Sequence, residues 1–324
     1  MLLNFQQNGE IKGMNKALSL VLMTLIVFSM LSILQINPVM AATDEYFIYS
    51  RFDPPGISSL TAAGGFVEYY GIPEWGDEIQ YVYFLSANVG YKVRVQITDG
   101  DGDGKIEPRQ HPDHYIPEYQ GPIEPRIFEI VSSRNIYADT GGGHGHSEEF
   151  HIDSGGVYLG AYPYGIHKWD HDWNYLGKIA NSPPTRTESM AYNPAENVWY
   201  AGGRYRTIYQ LSDTDSDGSF LDETWVAIFT YPNYGGSHHD GMEYVGGYLW
   251  ISDMTSDVIG KWEHDTATGT WKELKRFTYT EPAAVEGMGF GPNDHFWASY
   301  SYLYELGNEI TKGYPLANAG PDVA

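Results

Sequence analysis

Two stretches of this sequence carry carboxylates at the spacing that wraps a hard cation. Asp99-Gly100-Asp101-Gly102-Asp103-Gly104-Lys105-Ile106-Glu107 and Asp213-Thr214-Asp215-Ser216-Asp217-Gly218-Ser219-Phe220 both set acids at alternate positions, with glycine at the sixth and an apolar residue at the eighth. Ca²⁺ takes several oxygens, a backbone carbonyl among them, and the glycine allows the sharp turn that gathers them. Asp99, Asp101, Asp103, Asp213, Asp215 and Asp217 are therefore candidate calcium ligands, and Glu107 with Asp113, or Asp222 with Glu223, could complete the shells. At the twelfth position, where a complete EF-hand carries a bidentate Glu, stand Gln110 and Thr224. The alternative for either loop is a solvated acidic turn.

A second set of acids recurs at longer intervals: Glu148, Glu188, Asp240 and Glu286 are 40, 52 and 46 residues apart, each two residues before Phe150, Met190, Met242 or Met288. Each opens a short strand, and aromatic second strands follow at Val157-Tyr158-Leu159, Val198-Trp199-Tyr200, Tyr248-Leu249-Trp250-Ile251 and Phe296-Trp297-Ala298. Third strands end in Trp169, Leu211, Trp262 and Leu306, and fourth strands are readable at Tyr175 to Ile179, Trp225 to Phe229 and Trp271 to Lys275. Apolar and polar residues alternating over four to six positions between Gly, Asn, Asp and Pro signal strands rather than helices. A repeat of four such strands every 40 to 50 residues predicts an all-β fold, a β-propeller of four-stranded antiparallel blades. Residues 44–131 read as a first, elaborated blade, which gives five. Glu45 to Ser50 is left over: it either pairs with the last blade to close the ring or opens a sixth.

The first strand of every propeller blade lines the central axis, so the four recurring acids are expected to converge there. Carboxylates facing one another in a narrow tunnel stay ionised only around a cation, which makes Glu148, Glu188, Asp240 and Glu286 candidate ligands of an axial divalent metal. His144, His146, His238 and His239 would enter the same funnel, and Arg186 is the cation available there for an anionic ligand. Oxygen ligands alone point to Ca²⁺ or Mg²⁺, and two added histidines would favour Zn²⁺ or Mn²⁺. The alternative is that the acids cap the turns leading into the strands.

The segment Asp240-Gly241-Met242, with Leu249-Trp250 and Val258-Ile259 after it, resembles a blade of the gluconolactonase/senescence-marker-protein lactonases. Similar propellers include the strictosidine synthase-like proteins, virginiamycin B lyase and NHL repeats. The resemblance implies Asp240 as a metal ligand or base, and implies Glu148, Glu188 and Glu286 only as equivalents by repeat position; in an enzyme, His238, His239 or Asp240 would serve as the catalytic base. The Asn ligands of the lactonases have no clear match. The Asp-rich loops resemble those of dockerin-like and other extracellular modules. Tyr314-Pro315-Leu316-Ala317-Asn318-Ala319-Gly320-Pro321-Asp322 resembles the opening of a PKD (polycystic kidney disease-type) domain, which implies a surface protein of an archaeon or bacterium.

Composition narrows the functional classes. Lys16, the apolar run from Ala17 to Ile36 and Val39-Met40-Ala41 describe a secretory signal translated from Met14, or an uncleaved membrane anchor. The expected organisation is a leader over 1–41, a propeller over 42–313 and a PKD-like start or linker over 314–324, located outside the cell or on its surface. The net charge of −23 becomes −24 once Glu10, Lys12 and Lys16 leave with the leader, so nucleic acid is not an expected partner. With no Cys, the exported chain must secure its loops by packing or by metal. No Ser nucleophile elbow, Cys nucleophile or phosphate loop is present. Two functions are expected: a calcium-stabilised module binding a glycan, peptide or surface protein, or a metal-dependent lactonase, esterase or lyase acting on a small ester or lactone. The expected cofactors are Ca²⁺ in the loops and a divalent metal on the axis.

Overall fold

The two-residue turn Gly246-Gly247 shows how one blade is built. Both glycines have positive φ, +63° and +84°, the conformation of the tight hairpin turn whose twist matches that of its strands, and Val245 pairs Tyr248 across it. The strands on either side are β14 (Gly241–Val245) and β15 (Tyr248–Asp253), and β16 (Val258–Asp265) and β17 (Thr270–Tyr279) add in antiparallel order. The computed structural model describes residues 44–68, 78–97, 126–140, 149–161, 163–184, 188–202, 205–235, 240–253, 256–279, 285–290, 296–299 and 302–307. Among these every regular element is a strand.

The same four-stranded meander recurs around the ring. The first blade is β2 (Leu60–Glu68), β3 (Glu78–Ser86), β4 (Val89–Ile97) and β5 (Arg126–Asn135). The second is β6 (Phe150–Asp153), β7 (Gly156–Ala161), β8 (Gly165–Trp169) and β9 (Tyr175–Ala180). The third is β10 (Ser189–Asn193), β11 (Val198–Gly202), β12 (Thr207–Ser212) and β13 (Val226–Thr230). β14 to β17 form the fourth, and the fifth is β18 (Gly287–Phe290), β19 (Phe296–Ser299) and β20 (Leu303–Gly307).

The fifth blade takes its outer strand from the start of the propeller. β1 (Asp44–Phe52) runs antiparallel to β20, from Phe47 opposite Gly307 to Phe52 opposite Leu303, and its first residues pair in parallel with β17 of the fourth blade. This is the closing strand that the leftover segment Glu45 to Ser50 offers, so the ring has five blades and not six. A buried ion pair locks the closure. Arg126, at the head of β5, donates from Nε and Nη2 to the two Glu305 oxygens of β20 at 2.9 and 3.0 Å, and the Ser50 hydroxyl of β1 donates to Glu305 Oε2 at 2.7 Å.

Five apolar clusters fill the five contacts between blades. Tyr83 meets Phe150 and Trp169 between blades one and two, Tyr158 meets Met190 and Trp199 between two and three, and Tyr200 meets Met242 and Ile251 between three and four. Trp250 and Phe277 pack on Met288 and Phe296 between four and five, and Trp297 and Leu303 pack on Leu60 and Val93 where the ring closes. Burying each such side chain stabilises the ring by roughly 1.5–3 kcal/mol before entropy is counted. Near the axis the inner strands of blades five and one touch: a Cβ on Gly289 would run into the Gly64 backbone, so that position excludes any side chain.

Candidate functional site

Each blade presents the free edge of its first strand to the axis, and there the edge amides are shut away from water. An unpaired buried N–H costs about 1–3 kcal/mol, so the axis must supply acceptors. Glu149 supplies two. Placed immediately before β6 and 2 % exposed, it accepts from the Met242 amide of β14 through Oε2 and from the Met288 amide of β18 through Oε1, each at 2.9 Å. One carboxylate thus joins blades two, four and five. Burial pushes its pKa well above the ordinary value, the Glu243 and Asp240 charges push the same way, and the two amides oppose them.

Glu243, the middle residue of β14, repeats the device two residues along: it accepts from the Tyr244 amide at 2.9 Å and faces the Phe290 amide at 3.5 Å. Its Oε1 also lies 3.3 Å from Nδ1 of His151, whose Nε2 is 3.6 Å from Asp153 Oδ2. Burial alone would lower the His151 pKa, but the Glu243 and Asp153 carboxylates outweigh it and push the imidazole up to about 9. Burial would raise Asp153, but the His151 cation, the Gly155 amide and Lys168 hold it below the usual carboxylate range. Tyr158, Tyr192 and Trp199 box the imidazole in, their ring centres 5.7, 5.8 and 5.5 Å from it.

Those three rings also belong to a groove of about 470 Å³ between blades two and three. Asp153, Tyr158, Lys168 and Lys178 line its second-blade side, and Tyr192, Asn197 and Trp199 line its third-blade side. The remaining wall is Gly218 to Leu221, the second half of the Asp-rich loop between β12 and β13. That loop is curled by left-handed backbone at Ser216 and Gly218, φ +62° and +83°. The curl brings one carboxylate oxygen each from Asp213, Asp215 and Asp217 within 4.8 Å of one another, the one such grouping of three acids or histidines among the described residues. The amide of Asp217 lowers the Asp215 pKa, but slight desolvation and the charges of Asp217, Asp222 and Asp213 leave it raised, so the acids repel one another.

The loop is anchored on both sides. Glu223 accepts from the Thr214 hydroxyl at 2.8 and 2.9 Å and also from its amide, which closes the loop base rather than turning the carboxylate toward the acids. Phe220 forms a parallel bridge with Ala180 of the second blade, so the loop straps blade three to blade two. Asn197 donates to Asp213 at 3.2 Å and accepts from the Tyr192 hydroxyl at 2.7 Å, which links the acid cluster to the groove lining.

No protein-family profile matches the sequence, and no curated protein matches it. Among solved structures, a luciferin-regenerating enzyme aligns at a TM-score of 0.42 and 12 % identity over 79 % of this chain and 94 % of its own. The Chaetomium thermophilum Polycomb Repressive Complex 2 bound to GSK126 gives 0.43 and 12 % over 80 % of this chain and 70 % of that one. The WD40 β-propeller domain of Doa1 gives 0.35 and 9 % over 82 % and 98 %. The strand pairing, not these scores, establishes the propeller, and no activity is carried over from them.

Of the axial acids expected from the repeat, Glu188 and Asp240 are buried where β10 and β14 begin, and Glu286 is partly buried where β18 begins. With Glu149 they do not form a grouping of the kind the Asp loop forms among the described residues. Glu148, Arg186, His144, His146, His238 and His239 lie outside the described residues, as do Asp99, Asp101, Asp103, the leader and the PKD-like end. Glu149, His151, Glu243 and the groove were not anticipated. The alternation Glu149, His151, Asp153 puts all three on one side of β6, a signal the sequence does carry.

Proposed function

We propose that the protein is a calcium-binding ligand-binding module that works outside the cell or at its surface. The observation that carries the reading is that the loop in which Asp213, Asp215 and Asp217 gather one carboxylate oxygen each continues through Gly218 to Leu221 as one wall of a groove lined by aromatic and cationic side chains. Ca–O distances of 2.3–2.6 Å let two ligand oxygens on opposite sides of one ion stand up to about 5 Å apart, so the observed gathering suits a single calcium. An all-oxygen donor set suits Ca²⁺ better than a transition metal. Calcium there would relieve the repulsion among the acids and hold the strap between blades two and three, a role that disulfides fill in many exported proteins.

Thermal unfolding of the full chain with and without chelator tests the calcium component. Extracellular calcium sites bind with dissociation constants of roughly 10⁻⁴ to 10⁻³ M, so 10 mM Ca²⁺ should stabilise the fold by about 1.4–2.7 kcal/mol. That corresponds to a rise in melting temperature of roughly 3–10 °C. Asp215→Asn/Asp217→Asn should lose most of the rise, and an equal rise in that variant would sink the assignment.

A further inference from the structure

We infer that the groove between blades two and three is the ligand site and that it takes a carboxylate-bearing saccharide, an inference that rests on the binding-module reading above. Its charge is local and positive in a chain that is strongly acidic overall. Lys168 and Lys178 stand on the adjacent strands β8 and β9, and neither ammonium has a carboxylate oxygen within 4.0 Å among the described residues. Lys168 lies 5.0 Å from the centre of the Tyr158 ring, and Lys178 donates to the uncharged Asn181 side chain at 2.8 Å. Each ammonium carries three donors, so both retain donors for a ligand anion. Asp153, the acid on the same wall, is paired with His151 at 3.6 Å.

The other features match a sugar. Tyr192 is the partly exposed ring of the lining and can meet the C–H face of a pyranose, with the buried Trp199 packed behind it at 4.6 Å between ring centres. Asn197 and Ser219 offer amide and hydroxyl groups on the facing wall for sugar hydroxyls. The volume lies in the range of sites that enclose a small molecule, enough for a disaccharide. An acidic peptide would ordinarily add itself to an exposed strand edge, whereas this lining consists of strand faces and a loop. Extended polyanions meet the repulsion of a chain carrying a net charge of −23.

The test is titration calorimetry of the full chain in calcium buffer with three probes: digalacturonate, its dimethyl ester and triglutamate. Digalacturonate should bind, and the ester and the peptide should bind at least about tenfold more weakly, the loss expected when a charge-assisted contact is removed or misplaced. Lys168→Gln/Lys178→Gln should cost digalacturonate a similar factor. Leu221→Glu, a change at an exposed rim position 46 % open to solvent, should weaken it as well without touching the core. No binding of digalacturonate, equal binding of the ester or the peptide, or indifference to both variants would overturn the inference. The calcium melting shift, measured on the same sample, separates the two claims. A normal shift with no digalacturonate binding removes the groove assignment alone, and binding that survives without any shift supports the groove while removing the calcium.

Discussion

His151 should make the propeller lose stability as the solution turns alkaline. The imidazole sits between Glu243 and Asp153 with its pKa pushed from 6.5 up to about 9. A group whose pKa is higher in the folded chain than in the unfolded one holds its proton more tightly when folded, so its contribution is complete below about pH 6.5 and is lost as the pH rises through about 9. At 1.36 kcal/mol per pH unit that contribution is about 3 kcal/mol, a large part of the 5–15 kcal/mol that holds a typical domain together. Urea unfolding of the wild type and His151→Gln from pH 6 to pH 10 isolates it from every other titrating group. The gap between the two proteins should be widest near pH 6 and should shrink by about 3 kcal/mol by pH 10, roughly 6–12 °C in melting temperature. A gap that stays constant across the range would mean that His151 is neutral in the fold, and the charged link between Glu243 and Asp153 would be refuted.

Three further outcomes follow from the same contacts. Glu149→Ala should cost about 3 kcal/mol by stranding the Met242 and Met288 amides, whereas Glu149→Gln keeps one acceptor and should cost less; because the Glu149 pKa is raised, its share of stability is present below its unfolded value and fades as pH rises, and urea titrations of the Gln variant should lack that slope. Glu305→Ala removes the two-oxygen partner of the buried Arg126 and the acceptor of the Ser50 hydroxyl, so it should cost about 3–5 kcal/mol and expose β1 to limited proteolysis before any other strand. Chelating calcium should weaken digalacturonate binding several-fold in calorimetry, because the freed acids of the loop add negative charge beside the groove.

The blade order could be read from the chain because each strand carries its own evidence: Tyr248 to Ile251 is an unbroken aromatic and aliphatic run, Gly246-Gly247 marks a turn before it, and the repeat brings the same pattern back in four segments. Ring closure by Glu45 to Ser50 was one of two possibilities, since a strand's partner is decided by what edge remains open rather than by its own residues. The axis was less legible. A repeat alignment puts Glu148 with Glu188, Asp240 and Glu286, yet the carboxylate that crosses to blades four and five is Glu149, one position on, opposite positions where those blades have Gly241 and Gly287. Which acid meets which amide depends on the contact of three blades and leaves no mark in local spacing. The gathering of Asp213, Asp215 and Asp217 was legible because it is local, set within eight consecutive residues. The groove was not, because Lys168, Tyr192 and Leu221 come from two blades and a strap.

The most direct test of the central claim is the calcium content of the purified full chain by elemental analysis, compared with that of Asp215→Asn/Asp217→Asn after the same dialysis. The calcium-binding account predicts that the variant loses one calcium per chain and keeps any ion held elsewhere. Equal calcium in the two proteins would contradict it and leave the Asp loop a solvated turn.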